Sequence, residues 1–146
     1  MGQLRKKGSV ESPREEDYLE AVLNLISDKG YATTSDISKL LGVRPPTASA
    51  MTRKLARKGY VEHEPYRVLK LTPAGEKVAR SVTKRHRVIE ELISMLGVDE
   101  ATAYVDTEGI EHHVHPVTIR QLEKLALYLK SHSETLDAIN RSVEGS

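Results

Sequence analysis

Thr33–Val61 reads TTSDISKLLGVRPPTASAMTRKLARKGYV, and it contains two helix starts and two glycine stops. Thr34 or Ser35 is placed to cap a short helix, because a hydroxyl there satisfies an amide that the first turn leaves unpaired. The apolar side of that helix is expected to be Ile37, Leu40 and Leu41, and Gly42 ends it with a turn. Pro45 and Pro46 then suit the first turn of a second helix, where a missing N–H costs nothing. Ala48, Met51 and Leu55 give the second helix an inward side, and Gly59 closes it. A short helix, a tight glycine turn and a second helix make a helix-turn-helix.

Upstream, a helix is predicted from about Arg14 to Gly30, with Leu19, Val22, Leu23 and Ile26 as its core-facing stripe. Downstream, Tyr60–Glu62 and Val68–Leu71 are two extended segments around a Pro-Tyr-Arg turn, a β-hairpin wing. The expected fold is therefore mainly α: an N-terminal winged helix-turn-helix of three helices plus a hairpin, followed by an all-helical domain. A long helix should run from Thr72 or Pro73 to Leu96 on Val78, Val82, Ile89, Leu92, Ile93 and Leu96. His86 lies four after Val82 and three before Ile89, so it occupies that row. One or two further helices follow over residues 99–114, and Leu122, Leu125, Ala126 and Leu129 mark another. The expected divisions are an arm over 1–13, without order, a winged helix over 14–74, a helical domain over 75–131 and a polar tail over 132–146.

The 146 residues include no Cys, Trp or Phe. Disulfide scaffolds, zinc ribbons, iron–sulfur clusters and thiol nucleophiles are thereby excluded, and any metal must be held by oxygen and nitrogen. No apolar run approaches the roughly 18 residues of a membrane span, and the start lacks the apolar middle of a signal peptide. A soluble, cytoplasmic protein is expected. The formal charge of +1 conceals an asymmetry. Residues 44–87 carry 12 Lys and Arg against 3 Asp and Glu, whereas residues 88–146 carry 4 against 11. A basic middle suits a polyanion and an acidic end suits cations.

On the second helix of the motif, Thr47, Ser49, Arg53, Lys54, Arg57 and Lys58 lie mostly away from Ala48, Met51 and Leu55. Hydroxyls near the N-terminus and cations further along suit a DNA major groove, the first turn reaching base edges and the later cations holding phosphates. Arg44 before the helix and Arg67 at the wing tip extend the expected footprint on double-stranded DNA.

Glu108–Pro116, EGIEHHVHP, crowds two carboxylates and three imidazoles together. On a helix Glu108, Glu111 and His112 share one face, which supplies half of a metal site. His86 and the Asp17/Glu20 pair of the first helix are candidates for the rest, although each alone suits a core histidine or solvated acids. Converged, Asp17, Glu20, His86, Glu108, Glu111 and His112 carry four negative charges, which two divalent ions would match. The absence of sulfur favours harder ions such as Mn²⁺, with other divalent metals possible. His113 and His115 are spare.

These residues, in this order, resemble the diphtheria toxin repressor family, most closely its manganese transport regulator branch. The resemblance runs from about Pro13 to Lys130 through EEDYLE, the helix-turn-helix block, KRH, GVDE and EGIEHH. It implies a metal-activated repressor of manganese-uptake genes, a homodimer joined through the helical domain, and the same six ligands. Iron-sensing relatives have Met in place of Asp17 and Cys in place of Glu108. No enzymatic activity and no small organic substrate is expected.

Two rival expectations come from other classes. His113-Val114-His115 is an HxH of the kind seen in zinc hydrolases, which sit at strand ends of scaffolds that this helical chain does not build. A metal-independent winged-helix regulator of a small organic ligand would leave the six-residue set as coincidence.

Overall fold

The computed structural model describes residues 12–63 and 68–142. The arm as far as Glu11, the wing tip with the DNA assignment of Arg67, and positions 143–146 of the expected tail lie outside them.

The first compact unit extends to Thr83. It opens with α1 (Pro13–Lys29), whose start is fixed by a reciprocal cap: the Glu15 amide donates to Ser12 Oγ (3.3 Å) and the Ser12 amide to Glu15 Oε1 (3.1 Å). Gly30, with φ 88°, ends it in a left-handed turn that an L side chain resists. A two-residue strand β1 (Ala32–Thr33) leads into α2 (Thr34–Leu41) and α3 (Pro45–Arg57). The cap of α2 is Thr33, not Thr34 or Ser35, because Thr33 still has extended backbone and pairs reciprocally with Asp36 at 3.1 Å in both directions. The expected inward face also needs correction. Ile37 is buried, but Leu40 is 55% exposed. Ser38 turns inward in its stead and donates to the Val43 carbonyl at 2.7 Å.

The sheet is three-stranded, in the order β1-β3-β2 and antiparallel, with β2 at Val61–His63 and β3 at Val68–Leu71. The hairpin is thus joined by β1, which the sequence does not announce; Ala32 pairs with Leu69. The first hairpin strand begins one residue later than expected. Tyr60 is diverted because its amide closes α3 onto the Leu55 carbonyl (2.9 Å) and its carbonyl accepts from the Thr72 amide (3.1 Å). Tyr18, Leu19, Val22, Ile37, Leu55, Leu69 and Ala79 meet in one core. Ala79 belongs to α4 (Pro73–Met95), so the first part of that long helix packs with the winged helix and the compact units divide within it.

A polar pair lies inside this core. Tyr18 and Thr52 are both buried, and their hydroxyls are hydrogen-bonded. Thr52 Oγ1 also donates to the Ala48 carbonyl at 2.9 Å, so its one proton is committed and Tyr18 is the donor between them. Burial pushes the Tyr18 phenol up to about 12, against a smaller opposing effect of Thr52.

The second unit, from Lys84, contains the rest of α4, then α5 (Glu100–Ile110), a 3-10 turn (Glu111–His113), α6 (Pro116–Ser131) and α7 (Ser133–Arg141). Val88, Ile89 and Ile119 form its core, with Leu92, Ile93, Val114 and Leu122 against it. Leu96 and Leu125, expected to face inward, are 50% and 48% exposed. Helix α7 lies within the expected polar tail. It buries no residue, and the Asn140 amide ties it to the Met95 carbonyl at 3.0 Å.

Candidate metal centre and nucleic-acid interface

In the second unit, α5 ends at Ile110 and tightens at once into the 3-10 turn, which carries Glu111 inward one turn after Glu108. Helix α4 supplies His86. Its Nδ1 lies 2.6 Å from Glu111 Oε2 and 3.2 Å from Glu108 Oε2, while its Nε2 lies 3.4 Å from Glu90 Oε1. Glu111 is fully buried, and His112 Nε2 stands 3.6 Å from its other oxygen. A carboxylate removed from water costs several kcal/mol unless positive charge compensates it. Burial is the largest influence on His86 and pushes its pKa down. The Glu111 hydrogen bond and the charges of Glu111, Glu108 and Glu90 together outweigh it, leaving His86 above its ordinary value.

His86, Glu108 and Glu111 each offer one donor atom, all within 4.8 Å of one another. One imidazole nitrogen and two carboxylate oxygens at that spacing fit a divalent cation of the harder, oxygen-preferring kind. Two neighbours escaped the sequence reading. Glu90 was visible as the residue four after His86 on the same helix. Tyr104, four before Glu108, donates to Glu108 Oε1 (3.3 Å) and sets its ring edgewise to His86 at 5.3 Å between centroids.

Asp17 and Glu20 stand on α1, in the first unit, both partly buried. Glu20 Oε2 accepts from Thr83 Oγ1 at 3.3 Å. His113 and His115 are exposed at the junction of the 3-10 turn and α6, where His115 precedes the first turn of a helix. The HxH is therefore not at a strand end.

The DNA-reading candidate is α3. Arg44, Arg53, Lys54 and Arg57 are exposed, and Thr47 and Ser49 are partly so. The opposite side is pinned by buried Ala48, Thr52 and Leu55. Proline at its first two positions removes two of the amides that would point out of the helix end. Lys54 is not wholly outward: its Nζ lies 3.7 Å from Glu15 Oε2, which Lys58 meets at 2.9 Å. Buried Glu15 is a further residue that sequence reasoning passed over, although Ser12-x-x-Glu15 is a legible capping signature.

A winged helix that presents a basic second helix, followed by a helical unit that gathers imidazole and buried carboxylate, defines a DNA-binding regulator with a metal-binding domain. Comparison with known proteins agrees. Residues 12–69 match the family described as iron dependent repressor, N-terminal DNA binding domain, and residues 72–138 match the iron dependent repressor, metal binding and dimerisation domain. The chain belongs to the iron-dependent repressor family.

Among curated relatives, the HTH-type transcriptional regulator MntR of Lysinibacillus sphaericus is 38% identical over 131 residues, 90% of this chain and 94% of that protein. Among solved structures, T. acidophilum IdeR superposes with a TM-score of 0.69 at 30% identity, over 78% of this chain and 54% of that one. A manganese-dependent transcriptional repressor in complex with manganese gives 0.70 at 27% identity, over 78% and 53%. The chain thus spans about half the length of those two structures and nearly all of the curated relative. As a family member it is a DNA-binding, dimer-forming, metal-binding regulator. No helix among the described residues is long and apolar enough to cross a membrane.

Proposed function

We propose that the chain is a manganese-activated transcriptional repressor of metal-uptake genes, working in the cytoplasm as a homodimer on double-stranded DNA and without enzymatic activity. The observation that carries the metal half is the fully buried Glu111 carboxylate, bonded to His86 and set beside Glu108. The proposed ligand set is Asp17, Glu20, His86, Glu108, Glu111 and His112. Its four carboxylates match two divalent ions per subunit. Bound ions supply positive charge that carboxylates brought out of water otherwise lack. The chain's own residues do the rest: Glu111 and Glu108 stay poised by the imidazole and by Tyr104, and Asp17 and Glu20 bring α1 under the control of the same ions. Oxygen and nitrogen donors without sulfur support manganese over softer metals, and the likeness to a manganese-dependent repressor solved with manganese supports it further.

Repression follows by population shift. Neutralising the carboxylates favours one arrangement of the dimer, with its two α3 helices about 34 Å apart, one turn of DNA. Arg44, Thr47, Ser49, Arg53, Lys54, Arg57 and Arg67 are the proposed DNA contacts.

The test is DNA retardation by the purified protein on fragments of its own genome with and without Mn²⁺, alongside calorimetric Mn²⁺ titration. Saturable Mn²⁺ binding and retardation that requires it are expected. Retardation indifferent to Mn²⁺ contradicts the reading. In Glu108→Cys the response should move from Mn²⁺ toward Fe²⁺, Co²⁺ or Zn²⁺, and an unmoved preference refutes the selectivity argument.

A further inference from the structure

The helix that carries Asp17 and Glu20 is also the helix that grips α3 from behind. Between those two acids, Tyr18 leaves α1 in the opposite sense, into the core, and donates its hydroxyl to Thr52 of α3. Thr52 hands the bond on to the Ala48 carbonyl one turn earlier (2.9 Å), beside Thr47 and Ser49 on the proposed reading surface. One residue of α1 on the acid flank and the next on the core flank belong to one hydrogen-bonded rod, so neither can shift alone.

Tyr18 belongs to the apolar core with Leu19, Val22, Ile37 and Leu55, whose contacts are not directional. Paired buried hydroxyls do not slide: both lie at or near zero exposure, and a lost partner has no water to replace it. The link therefore fixes the position of Tyr18 against Thr52 more tightly than apolar packing does.

We propose that Tyr18 and Thr52 are positioning residues that transmit the seating of α1 by metal to the DNA-reading helix α3. The proposal rests on the metal-activated function above and deepens it. Neither side chain is a proposed ligand or DNA contact. The pair should therefore set how strongly the two binding events are coupled, with little effect on either event alone.

The experiment compares the full chain with Tyr18→Phe, Thr52→Val, the double variant and Thr52→Ser. Mn²⁺ affinity is measured by calorimetry. DNA affinity is measured by fluorescence anisotropy, with Mn²⁺ and with chelator, on a genomic fragment that the parent retards in Mn²⁺. The double variant removes both hydroxyls together and leaves no orphan in the core, which guards against a fold defect in either single change. In Tyr18→Phe, Thr52→Val and the double, the gain in DNA affinity produced by Mn²⁺ should fall about fivefold, the factor one net hydrogen bond is worth. Mn²⁺ affinity of the free protein and DNA affinity in chelator should stay within about twofold of the parent. Coupling is reciprocal, so Mn²⁺ affinity of the DNA-bound protein should fall by the same factor. Thr52→Ser, which keeps the hydroxyl, should restore the gain.

An undiminished gain in the double variant overturns the proposal. So does an equal loss of DNA affinity with and without Mn²⁺, which would assign the pair a packing role. A parent that shows no Mn²⁺ gain at all sinks the underlying function and this inference with it. A parent that gains alongside variants that gain equally sinks the inference alone.

Discussion

Gly75 shows how one missing atom sets the seam between sheet and helix. A Cβ there would stand 2.0 Å from the Tyr60 carbonyl oxygen and 2.9 Å from its carbon, both backbone. No side chain can swing aside, and the same carbonyl accepts the Thr72 amide at 3.1 Å while the Gly75 amide donates to Thr72 Oγ1 at 3.1 Å. Gly75→Ala must therefore push the start of α4 off the end of α3. The expected cost is about 1–3 kcal/mol, as for overpacking in a tight core, read as a lowered denaturation midpoint. A neutral outcome would mean the seam is looser than these distances. Sequence alone marks Gly75 only as a glycine in a helix's first turn. The reason for it is a carbonyl fifteen positions earlier, and such a contact leaves no local pattern. Glu111 is the reverse case. Its type and spacing beside Glu108 and His112 were legible, whereas its complete burial was not, because that depends on the 3-10 turn ending α5.

Among the elements, α2 depends most visibly on its cap. Asp36 is shared between the Thr33 amide and the Lys29 ammonium (2.9 Å). The Lys29 hydrogen bond holds the Asp36 carboxyl below its ordinary value, burial opposes, and Thr33 adds to the lowering. Because the folded chain binds that proton more weakly than the unfolded one, the stabilisation is complete above 3.8 and fades as pH falls through the lowered folded value. Lys29, raised above 10.5 chiefly by the same bond, contributes fully below that value and loses it as pH rises further. Asp36→Asn should thus be less stable than the parent at neutral pH. The gap should close toward the acid side of 3.8, followed by chemical denaturation across pH. A gap undiminished in acid would remove the carboxylate from the explanation. The long and periodic elements, α1, α3 and α4, could be read from the sequence because burial repeats along them. Two others could not. Strand β1 is too short to show alternation and exists through pairing with Val68 and Leu69. Helix α7 is only nine residues long and buries nothing, so its one apolar pair, Leu136 and Ile139, is a short signal among polar neighbours.

For the whole molecule the governing quantity is the separation of charge along the chain. Residues 44–87 hold a net +9 and residues 88–146 a net −7. Binding to a polyanion releases counterions in proportion to the phosphates neutralised, so the logarithm of the affinity falls with the logarithm of salt concentration by about 0.9 for each contact. Arg53 and Arg57 stand four apart on the exposed side of α3, and no salt bridge to either is found among the described residues. If both hold phosphates, Arg53→Ala combined with Arg57→Ala should flatten the salt dependence by about 1.8 and weaken binding to every DNA sequence alike. The Mn²⁺ titration of the free protein should not move, because both residues are remote from the proposed ligands in sequence and face solvent. An unchanged slope would mean that α3 touches DNA through Thr47 and Ser49 without these arginines. A slope and a metal isotherm that changed together would show that the basic surface and the carboxylate cluster do not act as separable halves, contrary to the charge pattern from which both were inferred.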